Sequence, residues 1–325
     1  MSLRRTLLKA AVAAACLAAP FAAHAQAFPS KTITIVVPFA PGGPTDQLAR
    51  ALAARMQESL GKPMVVENRP GAGGQIAATA VKQAEADGHA IFIGATEMFA
   101  INPTLYRKFS YEPAKDFQPL AAIAQMPMIL VVPKASPANS LAELLALAKT
   151  KPGGLSYASQ GPGSIGHLLG EMVRARTGLP LNHVPYKGSA PALQDLVGGQ
   201  VEMMFDVILS TNPLIQSDRL KALGVAAERR TPPLPAVPTL AEGGLAGVDA
   251  SVWFGAVVRA GTPEPIVAKL NESMNAAIAS PEVSKRFGDL GLQMLRMTPA
   301  QFGAFMRAET ERWTPVVKAS GASVE

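Results

Sequence analysis

Short apolar runs alternate with stripes of helical period along most of the chain. Ile33 to Phe39 is β-branched and apolar, the pattern of a strand buried on both faces. Leu48, Leu52, Met56 and Leu60 then recur every fourth residue, and Gly61 and Pro63 stop the helix they predict. Met64 to Glu67 reads as a second strand, Gln75 to about Ala86 as a helix, and Ala90 to Gly94 as a third strand. This order predicts a doubly wound α/β half. The alternation then recurs, with strands over Ile129 to Val132, Leu155 to Ala158, Leu181 to Val184, Val201 to Asp206 and Leu220 to Val225. Between them, Ser140 and Glu143 predict a capping box opening a helix through about Lys149. Ile165, Leu168, Leu169, Met172 and Val173 mark another helix, and Thr231 to Pro238 a proline-rich loop. The last part reads as helical. Thr262-Pro263 is expected to cap a helix with the stripe Ile266, Leu270, Met274 and Ile278. Thr298, Pro299 and Gln301 open a final one.

The first 25 residues carry a different signature. Arg4, Arg5 and Lys9 precede an uncharged run from Ala10 to Ala23, and Ala23-His24-Ala25 is a small-x-small cleavage site. A cleaved export signal over residues 1–25 is expected, by the general secretory route or the twin-arginine route, and the periplasm is the expected destination. Cys16 is the chain's one cysteine and falls inside this segment. The mature chain would then hold no disulfide and no thiolate metal site. His89 and His183 stand without companions at metal-ligand spacing, so neither metal nor cofactor is expected.

Composition narrows the classes. With 48% hydrophobic and 17% charged residues the 325-residue chain can bury sizeable cores, and its length suits two domains. Without Arg4, Arg5 and Lys9 the net charge falls from +6 to +3. That mild value, no basic run and 6% aromatics speak against nucleic acid as a partner.

Two glycine-rich stretches lead from strands into helices, one in each half. The first is Pro38-Phe39-Ala40-Pro41-Gly42-Gly43-Pro44-Thr45-Asp46. Glycine lets the backbone approach a ligand, and the first helical turn offers unpaired N–H groups and a partial positive charge. Such a junction binds anions without needing a lysine. Thr45 and Asp46 are candidate N-caps. The second stretch is Ser159-Gln160-Gly161-Pro162-Gly163-Ser164-Ile165-Gly166-His167. Its G-x-G-x-x-G at Gly161, Gly163 and Gly166 invites a dinucleotide reading, but no acid stands about twenty residues on to hold a ribose hydroxyl. Aimed at one cleft, the two junctions could grip a small carboxylate and close around it.

At these stretches, and at Val66 to Gly74, Ala100 to Pro103, Val184 to Gly188, Gly198 to Val201, Val237 to Gly243 and Trp253 to Gly255, the chain resembles the Bug-type periplasmic solute receptors of tripartite tricarboxylate transporters. The resemblance spans the whole mature chain. It implies the α/β type II periplasmic-binding-protein fold, with two lobes joined by crossing strands around a ligand cleft. Residues 26–126 and 252–325 would form one lobe and 127–251 the other, with crossings near Met126–Pro127 and Ser251–Val252. The implied function is capture of a small carboxylate (a di- or tricarboxylate, acidic amino acid or aromatic acid) by a monomer that delivers it to the membrane components of the transporter. The implied ligand-binding residues are Phe39, Gly42, Gly43, Pro44, Thr45, Asp46, Thr96, Ser159, Gly161, Gly163, Ser164, His167 and Asp206. Replacing Asp46 is then expected to weaken binding with little loss of stability.

Two other functions stand beside this one, and the sequence does not separate the first of them from transport. A sensor feeding a signalling partner would bind the same ligands. An exported enzyme acting on a carboxylate would need a nucleophile, base or metal constellation. Ser164 and His167 suggest a hydrolase, but Pro162 replaces the first glycine of a nucleophile elbow and no orienting acid is evident. Glu97 departs from the small or amide residues the family leads one to expect. Facing the cleft, it would disfavour a second ligand carboxylate and favour an ammonium or neutral polar group; facing solvent, it would do nothing. Met98 and Phe99 fit either a ligand wall or the core.

Overall fold

A computed structural model describes residues 28–325. The expected signal segment lies outside the described residues. Ten strands form one continuous system: β1 (Ile33–Val37), β2 (Met64–Asn68), β3 (Ala90–Ala95), β4 (Phe117–Pro133), β5 (Leu155–Ser159), β6 (Leu181–Pro185), β7 (Met203–Val207), β8 (Leu220–Ala226), β9 (Ser251–Arg259) and β10 (Gln293–Met294). Their order is β2-β1-β3-β9-β4-β7-β5-β6, with β8 and β10 also paired to β4.

β4 divides this system into two lobes. Its residues up to Pro127 pair antiparallel with β9, whereas Met128 to Pro133 pair with β7 and β8. The exchange falls where Met126 and Pro127 face Val252 and Ser251. In the first lobe β1 runs parallel to β2 and β3; in the second, β5 runs parallel to β6 and β7. Helices cover both sheets because each strand set is buried on both faces. The stripe Leu48, Leu52, Met56 and Leu60 is buried, as are Ile165, Leu168, Leu169 and Val173. Truncating one of these leucines to alanine would cost about 2–5 kcal/mol.

Three local expectations are corrected. The strand expected over Ile129 to Val132 is the last part of the 17-residue β4. Prolines at 119 and 127 mask its continuity in sequence. Pro119 has no N–H to donate to a ladder, and the β4–β9 register shifts beside it. Thr262 does not cap the helix Glu264–Ala279; the cap position is Pro263, and the Thr262 hydroxyl donates to the Arg259 carbonyl. Glu143 reaches past Ser140, accepting from the Asn139 N–H, so only half of that capping box forms. At Thr298 and Gln301 both halves form.

Candidate functional site

The ends of β1, β3, β5 and β7 converge on one cavity of about 670 Å3 between the lobes. Ligands in open α/β sheets bind outside these carboxyl ends. The first lobe contributes Phe39, Gly43, Pro44 and Thr45 from the first glycine loop, and Ala95, Glu97 and Met98 from beyond β3. The second lobe contributes Gln160 to Ser164 and Val207, and the crossing strands contribute Met126, Val252 and Phe254. No lysine, arginine or histidine among the described residues lines this space.

The first loop enters the helix Pro44–Leu60. Its N-cap is Gly43, with Pro44 fixing the first helical φ, so neither Thr45 nor Asp46 is the cap. Gly42, at φ +85°, makes the left-handed turn before it and does not line the cavity. Asp46 points back under the loop. Its carboxylate accepts from the Gly42 N–H (2.9 Å), from Asn68 Nδ2 (2.9 Å) and from two Arg50 nitrogens (3.0 and 2.9 Å). Asn68 Nδ2 also donates to the Phe39 carbonyl. The Arg50 guanidinium and these donors hold the Asp46 carboxyl down at about 2 against the desolvation of burial. Asp46 therefore fixes the loop's shape from behind, and its loss must affect stability, contrary to the expectation from sequence.

The second loop enters the helix Ile165–Thr177, capped by Ser164, whose Oγ accepts from the His167 N–H and donates to the Gly161 carbonyl. Ser159 is fully buried; its Oγ accepts from the Gly161 N–H (3.1 Å) and pairs with His183 Nε2 (2.6 Å). His167 Nδ1 accepts from the Gly163 N–H (3.0 Å), and its ring stacks on His183 with centroids 3.8 Å apart. Burial lowers both histidines, His183 to about 4, so both are neutral imidazoles at neutral pH. Ser159 and His167 thus stand behind the loop rather than on the cavity wall, and the Ser159–His183 pair faces the Gly161 backbone.

Thr96 is also buried: its Oγ1 accepts from the Trp253 N–H (2.8 Å), tying the end of β3 to the crossing strand β9. Asp206 lies 1% exposed beneath the floor, accepting from Ser189 Oγ and the Val207 N–H. Of the sequence candidates, Phe39, Gly43, Pro44, Thr45, Gly161, Gly163 and Ser164 line the cavity; Gly42, Asp46, Thr96, Ser159, His167 and Asp206 do not. Phe99 belongs to the core, stacked on Trp253 at 5.6 Å, while Met98 and Glu97 reach the wall.

What remains for a ligand is mainly backbone, with the side chains of Thr45 and Tyr106 on the same wall. Some loop amides are occupied internally, at Gly42, Gly161 and Gly163. In the first helical turns, the amides of Thr45, Asp46, Ile165 and Gly166 find no acceptor among the described residues; Thr45 stands on the cavity wall, and the other three lie one layer behind it. Each helix end also carries a partial positive charge. Sequence reasoning missed Arg50, Asn68 and His183 as loop supports. Arg50 stands four residues after Asp46 and was readable as a helical ion pair; the other two depend on tertiary approach.

Comparison with known proteins agrees with this geometry. The tripartite tricarboxylate transporter family receptor model, TctC, matches residues 48–322. The protein BugT of Bordetella pertussis is 37% identical over 97% of this chain and 96% of its own. Among solved structures, Rpa4515 of R. palustris with adipate superposes at a TM-score of 0.81 and 38% identity, covering 91% of this chain and 99% of that one. MatC of Rhodopseudomonas palustris with bound malate superposes at 0.77 and 38% identity, covering 89% and 100%. Two α/β lobes, a cleft walled by two glycine loops and a match along most of the sequence place the chain in the TctC family of tripartite tricarboxylate transporter receptors.

Proposed function

We propose that this chain captures a small carboxylate between its lobes in the periplasm and delivers it to the membrane components of a tripartite tricarboxylate transporter. The observation that carries this reading is the pairing of two glycine-loop helix ends on one cavity that holds no basic side chain. An anion there would be held by peptide N–H groups and dipoles, each bond to an ionised group worth roughly 1.5–3 kcal/mol. Ordered water could complete its shell and let related acids share the site. The boundaries at Met126–Pro127 and Ser251–Val252 would act as the hinge, since β4 and β9 run side by side through them. Adipate and malate in the related structures support a small acid as the ligand class. No helix among the described residues is long and apolar enough to cross a membrane, as suits a captured-ligand shuttle.

A thermal-shift screen over carboxylates, amines and sugars tests the reading. An acid at 100 times its Kd should stabilise the protein by about 2.7 kcal/mol. Stabilisation by amines or sugars with none by any carboxylate would overturn it.

A further inference from the structure

The chain leaving β3 enters a π-helical turn, Glu97–Ile101. Such turns carry one residue more than an α-turn and re-aim the side chains around them. Here Thr96 points inward to Trp253, Phe99 stacks in the core, and Glu97 comes to the cavity wall between Ala95 and Met98. Glu97 is the one charged side chain among the described residues that line the cavity. No side chain among the described residues donates a hydrogen bond to its carboxylate, and burial pushes its carboxyl above the usual carboxylate range. Around it the wall is mainly apolar, with Phe39, Met98, Leu105, Met126 and Phe254. Burial favours the protonated acid in the empty cleft, so Glu97 ionises fully only beside a cation: a ligand ammonium draws out the carboxylate and gains a strong attraction at low dielectric, whereas a second ligand carboxylate opposes that ionisation. The loop amides on the same cavity carry the opposite preference.

We propose that Glu97 makes this cleft selective for apolar-bodied amino carboxylates, its carboxylate pairing with the ligand's ammonium while the loop amides hold the ligand's carboxylate. An ammonium brings three donors to a side chain that has found almost none within the protein. A dicarboxylate of the same length would place its second charge against Glu97. The inference rests on the carboxylate-capture reading above and adds the other end of the ligand.

The test is titration calorimetry on the mature protein with matched series of linear amino acids, dicarboxylates, monocarboxylates and monoamines of roughly four to eight carbons, sized to the cavity, together with the common α-amino acids. The best amino carboxylate should bind at least about tenfold more tightly than the dicarboxylate of equal length. Glu97→Gln, which keeps the side chain's size, should erase or reverse that ranking. Wild-type preference for the dicarboxylate, no binding by any amino carboxylate, or an unchanged ranking in Glu97→Gln would each overturn the proposal. The monocarboxylate and monoamine arms separate the two readings. If acids bind but amino acids gain nothing, only the role of Glu97 fails; if monoamines bind as well as amino acids and no acid binds, carboxylate capture itself fails.

Discussion

Gly163 of the second lobe lies against Leu105 of the first: a β-carbon at Gly163 would sit 2.6 Å from Leu105 Cδ1 and closer still to Cδ2. The same glycine holds φ at +75°. The φ value favours glycine for the turn, and an added β-carbon would push against the tip of the Leu105 side chain where the lobes approach. Gly163→Ala should therefore weaken ligand affinity by about tenfold or more by holding the lobes apart, beyond the roughly 1–2 kcal/mol of left-handed strain. Gly153→Ala is the control: φ is +79° there, with nothing within 4 Å of the added carbon. It should lose similar stability and keep its affinity. Equal affinity losses in the two variants would show that closure at Leu105 is not involved.

Asp46→Ala removes a buried carboxylate that accepts from Gly42, Asn68 and Arg50. The variant should lose about 2–4 kcal/mol in denaturant melts at pH 7. Because the folded-state value is depressed to about 2, this stabilisation is present above about pH 4 and fades as pH falls towards 2. The difference between wild type and variant should shrink over that window. A variant as stable as wild type at pH 7 would contradict the role given to Asp46.

Asp206 predicts the opposite slope. Burial raises its carboxyl to about 6, so the folded state binds that proton more tightly than the unfolded chain. Its contribution to stability therefore falls as pH rises from about 4 to 6 and stays unfavourable above. Asp206 Oδ2 is buried without a hydrogen-bond partner among the described residues. Asp206→Asn keeps the acceptor used by Ser189 and Val207 and removes the buried charge. It should raise stability at pH 7–8 by about 1–3 kcal/mol and flatten the curve between pH 4 and 6. Destabilisation at pH 8 would count against it.

Much of the frame is legible in the chain itself. Four-residue stripes place the helices, β-branched runs place the parallel strands, and the glycine loops mark both jaws of the cleft. What escapes is whatever tertiary approach decides. The 17-residue span of β4 is hidden by its prolines. Ser159, His167 and His183 join only because β5 and β6 run side by side, bringing together rings 16 residues apart in sequence. Thr96, Asp46 and Asp206 look like ligand groups because they neighbour the right loops, yet hydrogen bonds within the protein hold each off the cavity wall. Glu97 is the reverse case, placed on the wall by a π-helical turn that no local pattern announces.

Amide chemical-shift titration tests the central claim most directly. On adding the tightest acid from the calorimetric series, the N–H signals of Gly43, Thr45, Gly163 and Ser164, which line the cavity, should move furthest and together, with one saturation curve across both lobes. Saturable binding that leaves those four amides unmoved, or moves those of one lobe alone, would contradict a carboxylate held jointly by the two helix ends.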